Sequence, residues 1–275
     1  MQPFTDAPLD SGFFVVPENV LYERIKSADS ANLQLLIHAI GDRSINRLLN
    51  MCERLEKEAG KKDRRFRIEH AQHIPPSDIK RFETLKVIAS VQPYHAIDDG
   101  HWAEKIIGHE RAKTTYAFRS LLDAGVKLAF GSDWLVAPAD PLIGIYAAVT
   151  RRTLDGKNPN GWIPNQKVSV EEALRAYTTD AAYATFEDRI KGSLKKGKLA
   201  DFAILDKDIT KIDLVLIESV KVLSTVVGES KFLKPKIRFE KLFNITSSKV
   251  FNKYSSPVTV IRFMESQVNF CDSLM

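Results

Sequence analysis

The sequence predicts an α/β protein whose parallel strands form part of a (β/α)8 barrel of the TIM type. Three observations carry that prediction. Between about residues 33 and 135, short apolar runs alternate with stretches of helical periodicity, the pattern of successive βα units. Four strands are readable there, and each is polar at its carboxyl end, where parallel α/β proteins gather function. From His38 to Asp133 the chain advances 95 residues over three strand steps. That is about 32 per step, close to the share of one unit in an eight-fold barrel of about 250 residues. Four units make half of such a barrel, so the expectation is a partial one.

The elements follow in order. A first helix is expected over residues 16–28, and the apolar run 33–37 reads as a strand leading into His38. Ile45, Leu48, Leu49, Cys52 and Leu55 then recur at helical spacing between Asp42, a candidate N-cap, and Gly60, a stop signal. Phe66 and Ile68 alternate up to His70, and a helix after Ser77 places Ile79, Phe82 and Leu85 on one face. Residues 87–91 form a strand ahead of Gln92 and Pro93. Residues 97–110 make a longer connection than a tight turn needs, which predicts a loop over the strand ends. A helix over 112–124 stops at Gly125, and the strand 126–130 leads through Gly131 and Ser132 to Asp133.

Beyond Asp133 come a helix over 141–152 and a turn-rich segment, DGKNPNGWIPN. Ser169 and Glu172 form a capping box before Ala173, Leu174 and Tyr177. A short helix in TTDAAYATF follows. Residues 192–206 read as turns and short strands, and 220–232 as a strand pair. The predicted organisation is 1–190 for the barrel part with trailing helices, 191–232 for a small β segment, and 233–275 for a basic tail.

Composition narrows the function classes. The chain has 275 residues with 44% hydrophobic and 27% charged, a balance that suits a packed soluble core. No run approaches the ~20 apolar residues of a membrane span, and the opening MQPFTDAPLDSG lacks the basic-then-apolar order of a secretory signal. A cytoplasmic location is therefore expected, with no membrane partner. Cys52 and Cys271 make neither a disulfide framework nor a zinc-ribbon spacing. The net charge of +5 resides in the tail: from Lys231 onward there are eight basic and three acidic residues, while residues 1–230 balance at 32 each. A polyanion-binding role for the tail is open on charge and interleaved aromatics alone, but no nucleic-acid module is apparent and no nucleic-acid partner is expected.

Two histidines and a carboxylate at three strand ends, His38, His70 and Asp133, suit a divalent ion such as zinc, with a position left for water. Asp133 is then the candidate to take a proton from that water and return it to a leaving nitrogen. Spacing alone leaves a second reading open, in which strand-end histidines are hydrogen-bonded structural residues. His95, just past the third readable strand, is a candidate to bind substrate or orient a ligand, or else is structural. His73 is expected in a loop or at the surface, His101 and His109 in solvent. Glu69 is set aside because strand alternation points it away from His70.

The strings LLIHAIGDR, RIEHAQ, SVQPYHAIDDGHWAEKIIGHERAKTTYAFRSLLDAGVKLAFGSDW, YAAVTR, EEALRAYTTDAAYATF and GSLKKGKLADFAILDKD resemble, in order, the YtcJ-like amidohydrolase 3 family, over residues 21–232. The resemblance implies a metal-bearing (β/α)8 barrel with a small β-sandwich built from both chain ends. It makes His38 the ligand on barrel strand five, His70 the ligand on strand six, and Asp133 the ligand and proton shuttle on strand eight. His95 falls just beyond strand seven, a candidate substrate-binding residue that could instead orient a ligand or make a structural hydrogen bond. The implied reaction is hydrolysis of non-peptide carbon–nitrogen bonds in a small amide substrate. Related enzymes carry an HxH pair on the first strand, and no HxH occurs in this sequence. The expectation is a carboxyl-terminal half, completed by the missing half or by a homo-oligomer; the alternative is a catalytically inactive product with a regulatory or interaction role.

Overall fold

The computed structural model describes residues 3–228, 230–231 and 260–261. Nearly all of the basic tail, with Cys271, lies outside the described residues. The chain is α/β. Four short strands, β1 (Leu36–Ala39), β2 (Arg67–His70), β3 (Ile88–Val91) and β4 (Leu128–Phe130), form one sheet in the order β1-β2-β3-β4, every neighbouring pair parallel. Helices α1 (Glu18–Ser30), α2 (Asp42–Ala59) and α3 (Pro76–Thr84) precede or link the first three strands. β3 leads into short helices α4 (Pro93–Asp99), α5 (Ala103–Ile107) and α6 (His109–Ala112), then α7 (Phe118–Asp123).

The amphipathic spacing read in α2 becomes its packing. Ile45, Leu48, Leu49 and Leu55 are buried, and Gly60 ends the helix at φ 76°, a left-handed value that costs glycine little. Several elements differ from expectation, among them the connection over 97–110, expected as a loop, which carries α5 and parts of α4 and α6. Gly41, in extended conformation, occupies the N-cap, so Asp42 is the first helical residue and acts from the first turn rather than as the cap. The helix expected over 112–124 is broken into α6 and α7, because Tyr116 sits at φ 51° and His73 and Thr115 form an isolated antiparallel bridge between them.

Register defines two faces of the parallel sheet. Ile37, Ile68, Ala89 and Leu128 lie in one row. Ile68, Ala89, Leu128 and Phe130 from this side bury among the helices in the main core. The opposite row, His38, Glu69, Ser90 and Ala129, lies on the other face. There the cover is partial. Helix α10 (Thr179–Ala184) packs Ala181 and Ala184 against Ile88 and Ala129. It sits at the amino-terminal ends of the strands, tied by Lys127 to Asp180 at 3.2 Å, Arg65 Nη1 to the Tyr183 carbonyl at 2.8 Å and Gln34 Nε2 to the Ala184 carbonyl at 2.7 Å. At β1 the same face is open: Leu36 is 47% exposed.

Helix α8 (Pro141–Thr150) and α9 (Val170–Tyr177) extend the main core; Ser169 and Glu172 close the capping box at the start of α9. Arg151, fully buried after α8, donates to the carbonyls of Trp162, Tyr116 and Thr115 at 2.7, 3.0 and 3.3 Å and so ties three segments together. A second sheet of β5 (Phe202–Leu205), β6 (Val222–Val227), β7 (Ser230–Lys231) and β8 (Val260–Ile261) is antiparallel in the order β7-β6-β5-β8. Among the described residues no helix is long and apolar enough to cross a membrane.

Candidate metal centre

Each candidate side chain reaches the carboxyl end of the sheet by a different local device. His38 is the third residue of β1, on the open face, and its side chain is exposed. His70 ends β2 opposite Ala39, a register that by alternation alone faces the helices. Its backbone instead adopts φ 72°, followed by Ala71 at φ 44°, and the ring lies edge-on to His38 with centroids 4.5 Å apart. His95 is the third residue of α4, whose start is fixed by Pro93 at the first turn. Asp133 stands three residues past β4, at φ 61°. Left-handed conformations at His70 and Asp133, neither of them glycine, are the kind of local strain that gathers at functional sites.

These devices converge. One donor atom from each of His70, His95 and Asp133 lies within 4.8 Å of the others. His95 Nε2 is 3.2 Å from Asp133 Oδ2. His38 joins the group through its ring contact with His70 rather than through that donor cluster. Burial holds His70 down to about 4, with the adjacent His38 acting in the same direction. The ring is therefore neutral at pH 7, the form that ligates a metal.

Three residues gain roles that sequence reasoning did not give them. Glu69 shares its row and face with His38. Its carboxylate lies 3.0 Å from Arg67, and burial, with a smaller contribution from the charge of Asp133, pushes its pKa up. The left-handed turn at His70 carries its ring edge-on to His38, whose row Glu69 shares. Gln92 is buried at the end of β3 beside the His70 ring. His73, expected in a loop or at the surface, is largely enclosed and bonded through Nδ1 to Thr115 Oγ1 at 2.9 Å, because its backbone pairs with Thr115. His101 is exposed, and His109 is exposed and paired with Glu104.

Comparison with known proteins follows the same outline. The model of the amidohydrolase family matches residues 2–230. The protein LONG AFTER FAR-RED 3 of Arabidopsis thaliana is 43% identical over 231 residues, covering 82% of this chain and 39% of that protein. The putative amidohydrolase YtcJ of Bacillus subtilis is 30% identical over 227 residues, 82% of this chain and 42% of that protein. An N-substituted formamide deformylase of Arthrobacter pascens is 28% identical over 201 residues, covering 73% of this chain and 36% of that protein. An uncharacterized metal-dependent hydrolase from Pyrococcus horikoshii superposes with a TM-score of 0.69 at 31% identity, over 78% of this chain and 42% of that one. The chain thus spans about two fifths of the length of the relatives it matches. With its motifs in order, its strand-end histidines and aspartate gathered at one rim, and a family match over most of its length, this chain belongs to the amidohydrolase family.

Proposed function

We propose that this chain supplies the carboxyl-terminal strands of a metal-dependent hydrolase barrel that cleaves non-peptide carbon–nitrogen bonds of small amides or formamides. The observation that carries the reading is the convergence of His70, His95 and Asp133 at the carboxyl ends of parallel strands, with His38 against His70. Two imidazoles and a carboxylate suit zinc or a similar divalent ion, and the neutral state of His70 fits that use. As the family resemblance implies, His70 and Asp133 from that cluster would hold it together with His38, which lies outside the donor cluster and touches it through its ring contact with His70. Such an ion supplies Lewis acidity and an acidified water at neutral pH. Asp133 accepts the proton of the attacking water at a carboxylate oxygen and returns it to the leaving nitrogen. His95, 3.2 Å from Asp133 Oδ2, keeps that carboxylate oriented and contacts the substrate. The formamide deformylase among the relatives supports the bond class.

The remaining barrel strands, with a first-strand HxH, come in this reading from sequence outside the matched two fifths. The antiparallel sheet is this chain's share of a small β-sandwich. A second reading, a catalytically silent product with a regulatory or interaction role, is favoured by the exposure of His38 and its place outside the donor cluster. Zinc titration of the full chain, with amine release from N-substituted formamides and simple amides, separates the two. Zinc binding that is lost in His70→Ala, with turnover lost in Asp133→Asn, supports the hydrolase. Zinc binding with no turnover even when the amino-terminal barrel strands are supplied supports the silent product, and no zinc binding by the wild type overturns the metal site.

A further inference from the structure

We propose that Tyr116 is a positioning residue that clamps the segment leaving His70 to the helix carrying His95, and so fixes where these two rings stand relative to each other. The consequence for a metal rests on the site reading above, but the clamp itself belongs to the metal-free chain.

Tyr116 is 1% exposed, and its phenol oxygen stands between two side chains: it accepts from Gln72 Nε2 and donates to Asp99 Oδ2. Gln72 Nε2 also donates to the same Asp99 oxygen at 3.4 Å, which closes the set. Gln72 comes two residues after His70, and its carbonyl accepts the Tyr116 backbone N–H at 2.7 Å. Asp99 is the last residue of α4, four residues after His95 and so on the same helix face. One tyrosine therefore bonds the segments of two of the three clustered donors. It is itself held from behind, because buried Arg151 donates to its carbonyl at 3.0 Å and to the Thr115 carbonyl at 3.3 Å.

Two costs in the chain are explained by this clamp. Tyr116 keeps φ 51°, a strained value for an aromatic residue that persists only where surrounding bonds over-determine it. Asp99 puts a carboxylate at the carboxyl end of a helix, where the helix dipole disfavours negative charge. Neither choice stabilises its own element. With seven residues α4 does not set its own position, so a tie at its far end decides whether His95 stays 3.2 Å from Asp133. The ring centroids of His70 and His95 are 6.2 Å apart, and the clamp spans the segments that bear them.

The test is the rate at which diethyl pyrocarbonate acylates each histidine of the metal-free, full-length chain at fixed pH, read by peptide mass spectrometry. In the wild type His95 is expected to react slowly beside the exposed His101. Tyr116→Phe keeps the ring and loses both hydroxyl bonds, and Asp99→Leu removes the acceptor. Each is expected to speed His95 about tenfold, the effect on local opening of losing a hydrogen bond to a charged group. Asp99→Asn, whose oxygen still accepts from Tyr116, should return the rate close to that of the wild type. His73, enclosed against Thr115 beside the clamp, reports general loosening and should keep its rate in every variant. An unchanged His95 rate in Tyr116→Phe overturns the proposal, as does an equal rise at His73 or an Asn variant as fast as the Leu one. Zinc binding is measured separately on the wild type: its absence defeats the metal-site reading, while the acylation rates still decide the role of Tyr116.

Discussion

His73 shows how one residue converts a backbone arrangement into pH dependence. It is held in place by the bridge to Thr115 and by the bond from Nδ1 to Thr115 Oγ1. Burial lowers it from 6.5 to about 4; Asp42 opposes that shift and Arg111 adds to it. Because the folded value lies below the unfolded one, the unfolded chain takes up a proton between pH 6.5 and 4 that the folded chain refuses. Stability from this residue is full above pH 6.5 and falls as pH drops through that window, by on the order of 3 kcal/mol in all. His70 titrates in the same direction. Urea unfolding of the wild type and of His73→Gln at several pH values between 7 and 4 should show a shallower acid loss in the variant. Equal slopes would show that His73 does not carry this linkage.

At the scale of elements, the strand end that presents Asp133 depends on helices far along the chain. Tyr177, at the end of α9, packs its ring edge-on to Phe130 of β4 at 5.4 Å and donates its hydroxyl to the Gly131 carbonyl at 3.4 Å. Gly131 in turn bonds the Val91 carbonyl through its N–H at 3.0 Å. The tyrosine fits because residue 144 in α8 has no side chain: a Cβ there would stand 1.8 Å from the Tyr177 hydroxyl oxygen. Gly144→Ala therefore gains helix propensity but displaces Tyr177, and a net loss of about 1–3 kcal/mol is expected in thermal or urea unfolding. Adding Tyr177→Phe, which removes the clashing oxygen, should recover part of that loss. Sequence periodicity placed α8 and α9 and their capping box, since each is a local pattern. It carried no sign of the Gly144–Tyr177 approach, which joins positions 33 residues apart.

For the whole molecule, the decisive feature is the unequal cover of the parallel sheet. Its helix face is closed by a continuous core running from Tyr22 to Val220. Its other face is plugged by α10 beneath β3 and β4 and left open at β1, where Leu36 and His38 are exposed and no strand adds to the outer side of β1 among the described residues. An apolar open face beside a free strand edge promotes association. The full chain is accordingly expected to self-associate in sedimentation velocity, and Leu36→Lys to raise the monomer fraction. A wild type that sediments as a monomer at every concentration tested would contradict this.

The sequence by itself determined the succession of βα units, the helix faces, the capping box and the residue types that gather at the strand ends. These are properties of spacing along the chain, and spacing along the chain is what a sequence records. The tertiary structure alone decided which donors meet. It turned His70 out of the alternation of its strand through a left-handed backbone, set His95 rather than His38 beside Asp133, and put Glu69 in the row of His38. It also enclosed His73 against Thr115. Each of those outcomes depends on register between strands and on a backbone angle at one residue. Neither quantity is written in the periodicity of a single chain.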